Sequence, residues 1–142
     1  MSSCTFFGHA DSSLDILPYI EALVLDLIVN NGVDTFYIGT EGRYDTMCYK
    51  ILSDLKFQFP DVKIYRVLAY IPKDERFSED SIYPENIETV PKRFAISWRN
   101  KWMIEKSDYA ITYAIRKFGG AYKFENLAIK KKLNVIKIAE ML

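Results

Sequence analysis

The feature that most constrains the fold of this chain is an alternation of short apolar runs with amphipathic helical patterns, which continues from one end of the sequence to the other. This alternation indicates βαβ units, because parallel strands need a long crossover connection between them and a helix usually supplies it. Five apolar runs predict strands, at residues 4–7, 35–38, 62–70, 109–113 and 135–138. The sequence therefore predicts an α/β protein with a parallel sheet.

Four helices are predicted between these strands, from apolar residues that recur three and four positions apart and so share one helix face. The first begins its apolar face at Leu14 and ends near Gly32. The second carries Tyr44 on its apolar face and ends near Pro60, because proline cannot continue a helix. The third and fourth cover about residues 94–106 and 121–132.

A long irregular stretch, residues 71–91, follows the third strand and contains three prolines and six acidic residues. Connections of this length are uncommon inside compact domains and often act as lids or binding loops. We expect either a lid over a binding site or a solvated insertion. The whole chain fits one domain spanning residues 1–142, a length that suits a single hydrophobic core.

Right-handed crossovers leave few arrangements for such a chain, and we expect a doubly wound, Rossmann-like sheet with strand order 3-2-1-4-5. In that order the direction of winding reverses between strands 1 and 4. Ligands bind outside the carboxyl ends of the strands at such a point. The segments that follow strands 1, 2 and 4 are therefore predicted to face a ligand crevice, and they are residues 8–9, 39–45 and 116–120.

Gly119 and Gly120 stand between the fourth strand and the fourth helix. Backbone amides and the positive end of a helix dipole favour a phosphate at such a position. Arg116 and Lys123 add positive charge nearby. We predict a phosphate-binding turn; the alternative is a turn whose glycines serve tight packing and whose cations are simply solvated.

The segment after the second strand has the same placement, with Gly39 and Gly42 on either side of Thr40 and Glu41. We predict that it forms a second ligand loop, in which Asp45 also contacts the ligand from the first helical turn. The alternative is a local role, in which Thr40 or Glu41 caps the helix and Asp45 stabilises its dipole.

His9 is the only histidine and follows Gly8 directly after the first strand, so both residues are predicted to contact the ligand. Histidine titrates and hydrogen-bonds near neutral pH. Arg93 and Arg99, near the start of the third helix, are predicted anion ligands, with ordinary surface charge as the alternative. One histidine and two unclustered cysteines give no support to a metal site, and no cofactor is expected.

Charge and composition exclude several classes of partner. The chain has 19 basic and 19 acidic side chains and no net charge, whereas long nucleic acids are usually bound by a basic surplus, so a polynucleotide partner is disfavoured. No apolar run approaches a membrane span and no signal peptide is recognised, so a cytoplasmic protein is expected.

Aromatic residues reach 15%, and Trp98 and Trp102 lie one helical turn apart. We expect these indoles in the core or in the interface of a homodimer or larger homo-oligomer.

Four motifs occur in order along the chain: Phe6-Phe7-Gly8-His9, the Gly-rich segment 39–45, the helix from Trp98 to Trp102, and the run from Ser107 to Ala121. Together they resemble the SLOG superfamily, the Rossmann-like group that contains the LOG phosphoribohydrolases and the DprA proteins, and in particular its small bacterial and phage members. The resemblance covers most of the chain. It implies a Rossmann-like fold, a site for a nucleotide or a related molecule, and a phage or mobile-element setting.

Two departures from the family pattern bear on activity. Many relatives carry Arg directly after Gly-His, where this chain has Ala10. The LOG enzymes use Pro-Gly-Gly-x-Gly-Thr-x-x-Glu, whereas this chain reads Phe-Gly-Gly-Ala-Tyr-Lys-Phe-Glu from Phe118 to Glu125. The carboxylate comes one position early, which turns it by about 100° on a helix. The resemblance therefore does not by itself assign Glu125 the catalytic role.

The leading hypothesis is a binding module that senses or sequesters a nucleotide or a nucleotide-derived small ligand, such as an ADP-ribose-like molecule or a cyclic nucleotide. An alternative is an N-glycosidic phosphoribohydrolase or nucleoside transferase that acts on a nucleoside monophosphate, assisted by Glu41, Asp45 or Glu125. A second alternative is a protein-interaction module without a small ligand.

Overall fold

The computed structural model describes residues 2–70 and 80–142. The strands in this part of the chain are β1 Ser2–Gly8, β2 Val33–Ile38, β3 Lys63–Val67, β4 Ser81–Ile82, β5 Tyr109–Tyr113 and β6 Asn134–Lys137. They form one parallel sheet in the order β4-β3-β2-β1-β5-β6. Without β4 this is the order expected from the sequence, and the doubly wound, Rossmann-like α/β class is confirmed.

Helices connect the strands on both sides of the sheet. The α-helices of the described residues are α1 Leu17–Asn31, α2 Gly42–Lys56, α3 Ala95–Lys106 and α4 Gly119–Lys130, and short 3-10 turns occur at Leu14–Ile16, Ile87–Thr89, Lys92–Phe94 and Ile138–Met141. The first helix ends, as predicted, at Gly32, whose φ of 65° is a left-handed conformation that glycine adopts without strain. The fourth begins two residues earlier than expected, which places Gly119 and Gly120 in its first turn.

Two apolar cores fix β1 at the centre of the sheet. Phe6 belongs to the core on the side of α1 and α2 and stacks on Phe36, with ring centroids 6.1 Å apart. Its neighbour Phe7 belongs to the core on the side of α3 and α4 and stacks on Phe124 at 5.7 Å. A parallel strand that is covered on both faces has apolar side chains on both sides, which explains the nearly continuous apolar run of residues 4–7. Burial of each such ring contributes on the order of 1.5–3 kcal/mol.

The edge strand β4 corrects the predicted topology. It lies beside β3, where Val67 pairs with Ile82. Two residues carry no periodic pattern, so sequence reasoning left them within the irregular stretch. Of the expected lid, residues 71–79 lie outside the described part of the chain, and residues 80–91 hold β4 and one 3-10 turn. A lid role for this stretch remains a prediction.

Candidate ligand crevice

A crevice of about 360 Å³ opens beyond the carboxyl ends of β1, β2 and β5. A doubly wound sheet reverses its direction of winding at this place, and the volume lies within the range of small-molecule sites. Apolar side chains, including Phe7, Ile96, Met103 and Phe124, form much of the wall. Polar groups enter from two sides, the turn that leads into α4 and the end of β2.

His9 joins the turn after β1 to the turn after β5. The residue is 6% exposed, and its Nε2 accepts a hydrogen bond from the backbone N–H of Ile115 at 3.0 Å. A ring nitrogen that accepts carries no proton, so the ring is neutral with its proton on Nδ1. Burial, followed by the positive charge of Arg116, lowers the pKa of His9 below its ordinary value. This shift keeps the neutral form present at neutral pH.

Asp11 and Arg116 connect the same two turns at the surface. Nη1 and Nη2 of Arg116 both donate to the carboxylate of Asp11, at 3.2 and 2.7 Å. The hydrogen bond lowers the pKa of Asp11 and raises the pKa of Arg116. Water screens this exposed pair, so it adds little to stability. The pair does mean that the charge of Arg116 is already partly balanced.

The amino end of α4, where the first backbone N–H groups have no partner within the helix, lies at the crevice. Gly119 and Gly120 line the crevice, Phe118 at the N-cap supplies no side-chain cap, and the first turn contains no acidic residue. Gly119 has a φ of 87°, which a side chain would strain. A Cβ on Gly120 would meet nothing within 4 Å. Tight packing, the alternative considered for this turn, therefore does not explain the glycine at position 120.

Gly39 makes room for two charged side chains on the opposite side of the crevice. A Cβ at position 39 would lie 2.7 Å from Oδ2 of Asp45 and 3.1 Å from Cζ of Arg99. Oδ2 of Asp45 also accepts a hydrogen bond from the backbone N–H of Glu41 at 3.2 Å. Asp45 thus has a local role at the start of α2, as the alternative prediction held, and the residue also lines the crevice together with Glu41.

The carboxyl group of Asp45 has an unusual protonation equilibrium. Burial raises its pKa from 3.8 to about 7, although Arg99 and the hydrogen bond from Glu41 both act to lower it. Removal from water disfavours the charged form of an acid. Near neutral pH the side chain is therefore a mixture of acid and carboxylate, which is the property that a general acid requires.

Arg99 lies inside the protein beneath the crevice. The residue is 2% exposed; its Nη1 donates to the carbonyl of Val67 at 2.9 Å and its Nε to Oδ1 of Asn100 at 2.8 Å. Thr40 accepts a longer bond from Nη1, at 3.4 Å. Burial lowers the pKa of this guanidinium from its usual value. The alternative that Arg99 is ordinary surface charge is therefore wrong.

Most of the predicted ligand residues meet at this one crevice. Those that line it are Gly8, His9, Glu41, Asp45, Arg99, Arg116, Gly119 and Gly120. Gly39, Thr40 and Gly42 do not line it. Gly42 has a φ of 88°, and a Cβ there would lie 2.6 Å from Cα of Ala10, so this glycine lets the turns after β1 and β2 touch.

Three predicted residues lie away from the crevice lining. Arg93 and Lys123 are exposed, and each places its charge over a neighbouring phenylalanine ring, at 4.8 and 5.3 Å from the centroid. Glu125 is buried and accepts a hydrogen bond of 2.5 Å from the hydroxyl of Thr112. The other two candidate catalytic residues, Glu41 and Asp45, do line the crevice.

Asp11, Asn100 and Phe118 line the crevice but were not predicted as site residues. Phe118 belongs to the predicted segment 116–120, and Asp11 lies two residues beyond the predicted segment 8–9, so a longer segment after β1 would have included it. Asn100 was missed for a different reason. Consecutive helical residues project about 100° apart, which argues against a shared site with Arg99.

Within the two described ranges, no three His, Cys, Asp or Glu side chains gather around a point where a metal ion would be held. The helices of this part of the chain are too short or too polar to cross a membrane. Cys4 and Cys48 are buried free thiols, and burial raises the pKa of both.

The comparison with solved structures decides the fold relationship. No family model matches the chain, and no curated protein matches it. The X-ray structure of DNA processing protein A (DprA) from Streptococcus pneumoniae superposes with a TM-score of 0.67 at 16% sequence identity, over 96% of this chain and 50% of that one. The chain has a DprA-like Rossmann fold.

The relationship to DprA is one of fold. It confirms the architecture that the resemblance to the SLOG superfamily implied. At 16% identity the superposition carries no assignment of side-chain roles, and this chain spans about half the length of the DprA chain. The chemistry of the crevice must therefore be argued from its own residues.

Proposed function

We propose that this chain binds a nucleotide or a nucleotide-derived small molecule in the crevice, to sense it or to sequester it, with a phosphate at the amino end of α4. The observation that carries the proposal is the uncapped first turn at Gly119 and Gly120, which lines the same crevice as the buried cation Arg99. Free amides at a helix N-terminus are a general anion site.

The shape of the crevice supports a ligand that is larger than a bare anion. Small-molecule sites are concave and largely apolar, with a few polar groups that fix orientation. Here Ile96 and Phe118 line the crevice beside the glycine turn, and their exposed fractions are 37% and 68%. A phosphate at the glycines would leave these apolar side chains for the remainder of the ligand, such as a nucleobase.

The structural neighbour DprA is named a DNA processing protein, and a polynucleotide is a different class of partner from the one proposed here. The balance of 19 basic and 19 acidic side chains argues against it, because affinity for long nucleic acid comes largely from counterion release by an excess of cations. We therefore propose a small phosphorylated ligand instead of a polynucleotide. We also expect the protein to act in the cytoplasm.

Asp45 supports a second candidate function, N-glycosidic hydrolysis or nucleoside transfer on a nucleoside monophosphate. Its pKa of about 7 leaves a protonated fraction at neutral pH, and the carboxyl group lines the crevice. A protonated carboxyl group can assist departure of a nucleobase as a general acid, as carboxylic acids do in glycoside hydrolysis.

A thermal-shift panel tests the proposal. The ligands are AMP, GMP, CMP, UMP, ADP-ribose and cyclic mono- and dinucleotides. A ligand present at 100 times its dissociation constant stabilises the folded state by about 2.7 kcal/mol, so at least one should raise the melting temperature clearly. Incubation with each stabilising nucleotide, followed by chromatography for free base, distinguishes turnover from binding. If no phosphorylated ligand has an effect, the proposal fails, and the interaction module without a small ligand takes its place.

A further inference from the structure

The two helix N-termini at the crevice differ in their capacity to bind an anion. The first turn of α4 has no acidic residue and no side-chain cap. At α2, the backbone N–H of Glu41 already donates to Oδ2 of Asp45 at 3.2 Å. The carboxyl groups of Glu41 and Asp45 also line the crevice on that side. The crevice is therefore polar at both places, but only the α4 side suits a phosphate.

Carboxylates in the wall of a crevice repel a phosphate and accept hydrogen bonds from hydroxyl groups. At short range in a partly buried site, the repulsion between like charges amounts to several kcal/mol. An ionised carboxylate has only acceptor oxygens, so its favourable neutral partners are O–H and N–H donors. The second glycine segment, predicted from the sequence as another ligand loop, thus has the chemistry of a hydroxyl-binding loop.

Hydrogen-bond donors accompany these acceptors. Arg99 and Asn100 line the crevice and are 2% and 9% exposed. In residues 2–70 and 80–142 no hydrogen bond is made by Nη2 of Arg99 or by Nδ2 of Asn100, whereas Nε and Nη1 of Arg99 are used. Neither atom is among the fully enclosed polar atoms that lack a partner, so each keeps some exposed surface. Two nearly buried side chains therefore offer donors beside the carboxyl groups.

We infer that Glu41, Asp45, Arg99 and Asn100 form a subsite for the vicinal hydroxyl groups of a ribose whose 5′-phosphate lies at Gly119 and Gly120. A vicinal diol both donates and accepts, and it matches a carboxylate next to amide and guanidinium N–H groups. The ligand class is accordingly a 5′-phosphorylated ribonucleoside with both ring hydroxyls free. This inference rests on the proposed function, and it adds which sugar the ligand carries and how the ligand is oriented in the crevice.

Calorimetric titration of ribonucleotides and their 2′-deoxy counterparts tests this subsite. The probes are the 5′-monophosphates of adenosine, guanosine, cytidine and uridine, each with its 2′-deoxy form. The wild type should bind the preferred ribonucleotide at least about tenfold more tightly than the deoxy form, which corresponds to about 1.4 kcal/mol. Glu41→Gln and Asp45→Asn should reduce this ratio, because each removes a carboxylate acceptor for the 2′-hydroxyl group that only the ribonucleotide carries.

Glu21→Gln is the matched control, because Glu21 is an exposed residue of α1 that does not line the crevice. It should keep the ribose-to-deoxyribose ratio of the wild type. Glu41 is exposed, so its variant tests the subsite even if Asp45→Asn alters folding. Equal affinity of the wild type for both forms would overturn the diol subsite and leave nucleotide binding intact. Failure of every nucleotide to bind would contradict the proposed function itself and the subsite with it.

Discussion

The ring of Tyr44 lies directly over Gly8. A Cβ at position 8 would be 2.2 Å from Cγ of that ring, which no packed structure tolerates. Tyr44 is fully buried, and its hydroxyl donates to the carbonyl of Ile111 at 2.8 Å. The residue thus links α2 to β5 across the end of β1, and Gly8 provides the space for this link beside the crevice.

Gly8→Ala is expected to lower the free energy of unfolding by about 1–3 kcal/mol or more, because the added methyl group overpacks a closed site. Urea denaturation followed by circular dichroism measures the change. Gly120→Ala is the control, since a Cβ there meets nothing within 4 Å, and it should change stability by less than about 1 kcal/mol. Similar stability of wild type and Gly8→Ala would show that Tyr44 does not lie where the structure has it.

Gly120→Asp should separate ligand binding from stability. A carboxylate in the first turn of a helix interacts favourably with the dipole by about 0.3–1 kcal/mol, so the melting temperature should hold or rise. The same charge beside the amides of α4 should weaken AMP binding at least about tenfold. Gly120→Ala adds a Cβ without charge and should keep most of the affinity. An aspartate variant that binds AMP as well as the alanine variant does would exclude a phosphate at this turn.

The parallel order and the three crevice segments followed from the sequence because they depend on local patterns. The apolar runs around Phe6 and Ile111 reflect burial on both faces of the sheet, and the Gly-bearing turns after β1, β2 and β5 then have to meet at one edge. Such features can be predicted from the hydrophobic period of each segment and from the right-handedness of the crossover connections between parallel strands.

The tertiary environment of single side chains did not follow from the sequence. Arg99 and Asn100 are neighbours that should diverge on a helix, yet both line one crevice because the guanidinium folds back onto the amide oxygen at 2.8 Å. The pKa of Asp45, about 7, depends on how deeply α2 is packed, and no local pattern encodes that. The glycine at position 39 is the one local sign that charged groups approach the backbone there.

The raised pKa of Asp45 predicts a pH-dependent stability. An acid whose pKa is about 7 in the folded state and 3.8 when unfolded opposes folding once pH exceeds about 4, and the penalty is complete above pH 7. The wild type should therefore lose stability relative to Asp45→Asn as pH rises from 4 to 7, by on the order of 2–4 kcal/mol. Parallel urea titrations at pH 4, 5.5, 7 and 8 measure this difference. A constant difference in the free energy of unfolding between the two proteins across these pH values would argue against a raised pKa of Asp45.

The exposed aromatic surface of α3 predicts self-association. Trp98 is 45% exposed and Phe94 51%, whereas Trp102 packs edge-on against Tyr37 with ring centroids 5.5 Å apart. We expect a homodimer or larger homo-oligomer that buries Trp98, since exposed apolar patches usually mark partner contacts. Light scattering should show Trp98→Ala shifted toward monomer, while Trp102→Ala lowers the melting temperature and keeps the oligomer. A wild type that is monomeric at tens of micromolar would contradict this prediction.

An amide-resolved NMR titration of the ¹⁵N-labelled wild type with AMP tests whether a nucleotide binds between the turn of α4 and the end of β2. The largest chemical-shift changes should fall on the backbone amides of Gly119 and Gly120, with smaller ones at Glu41 and Asn100, because these four residues line one crevice. Ribose without phosphate, titrated in parallel, should leave the two glycine amides nearly unchanged. Saturable AMP binding whose shift changes lie elsewhere, with Gly119 and Gly120 unaffected, would contradict a phosphate site at the turn of α4.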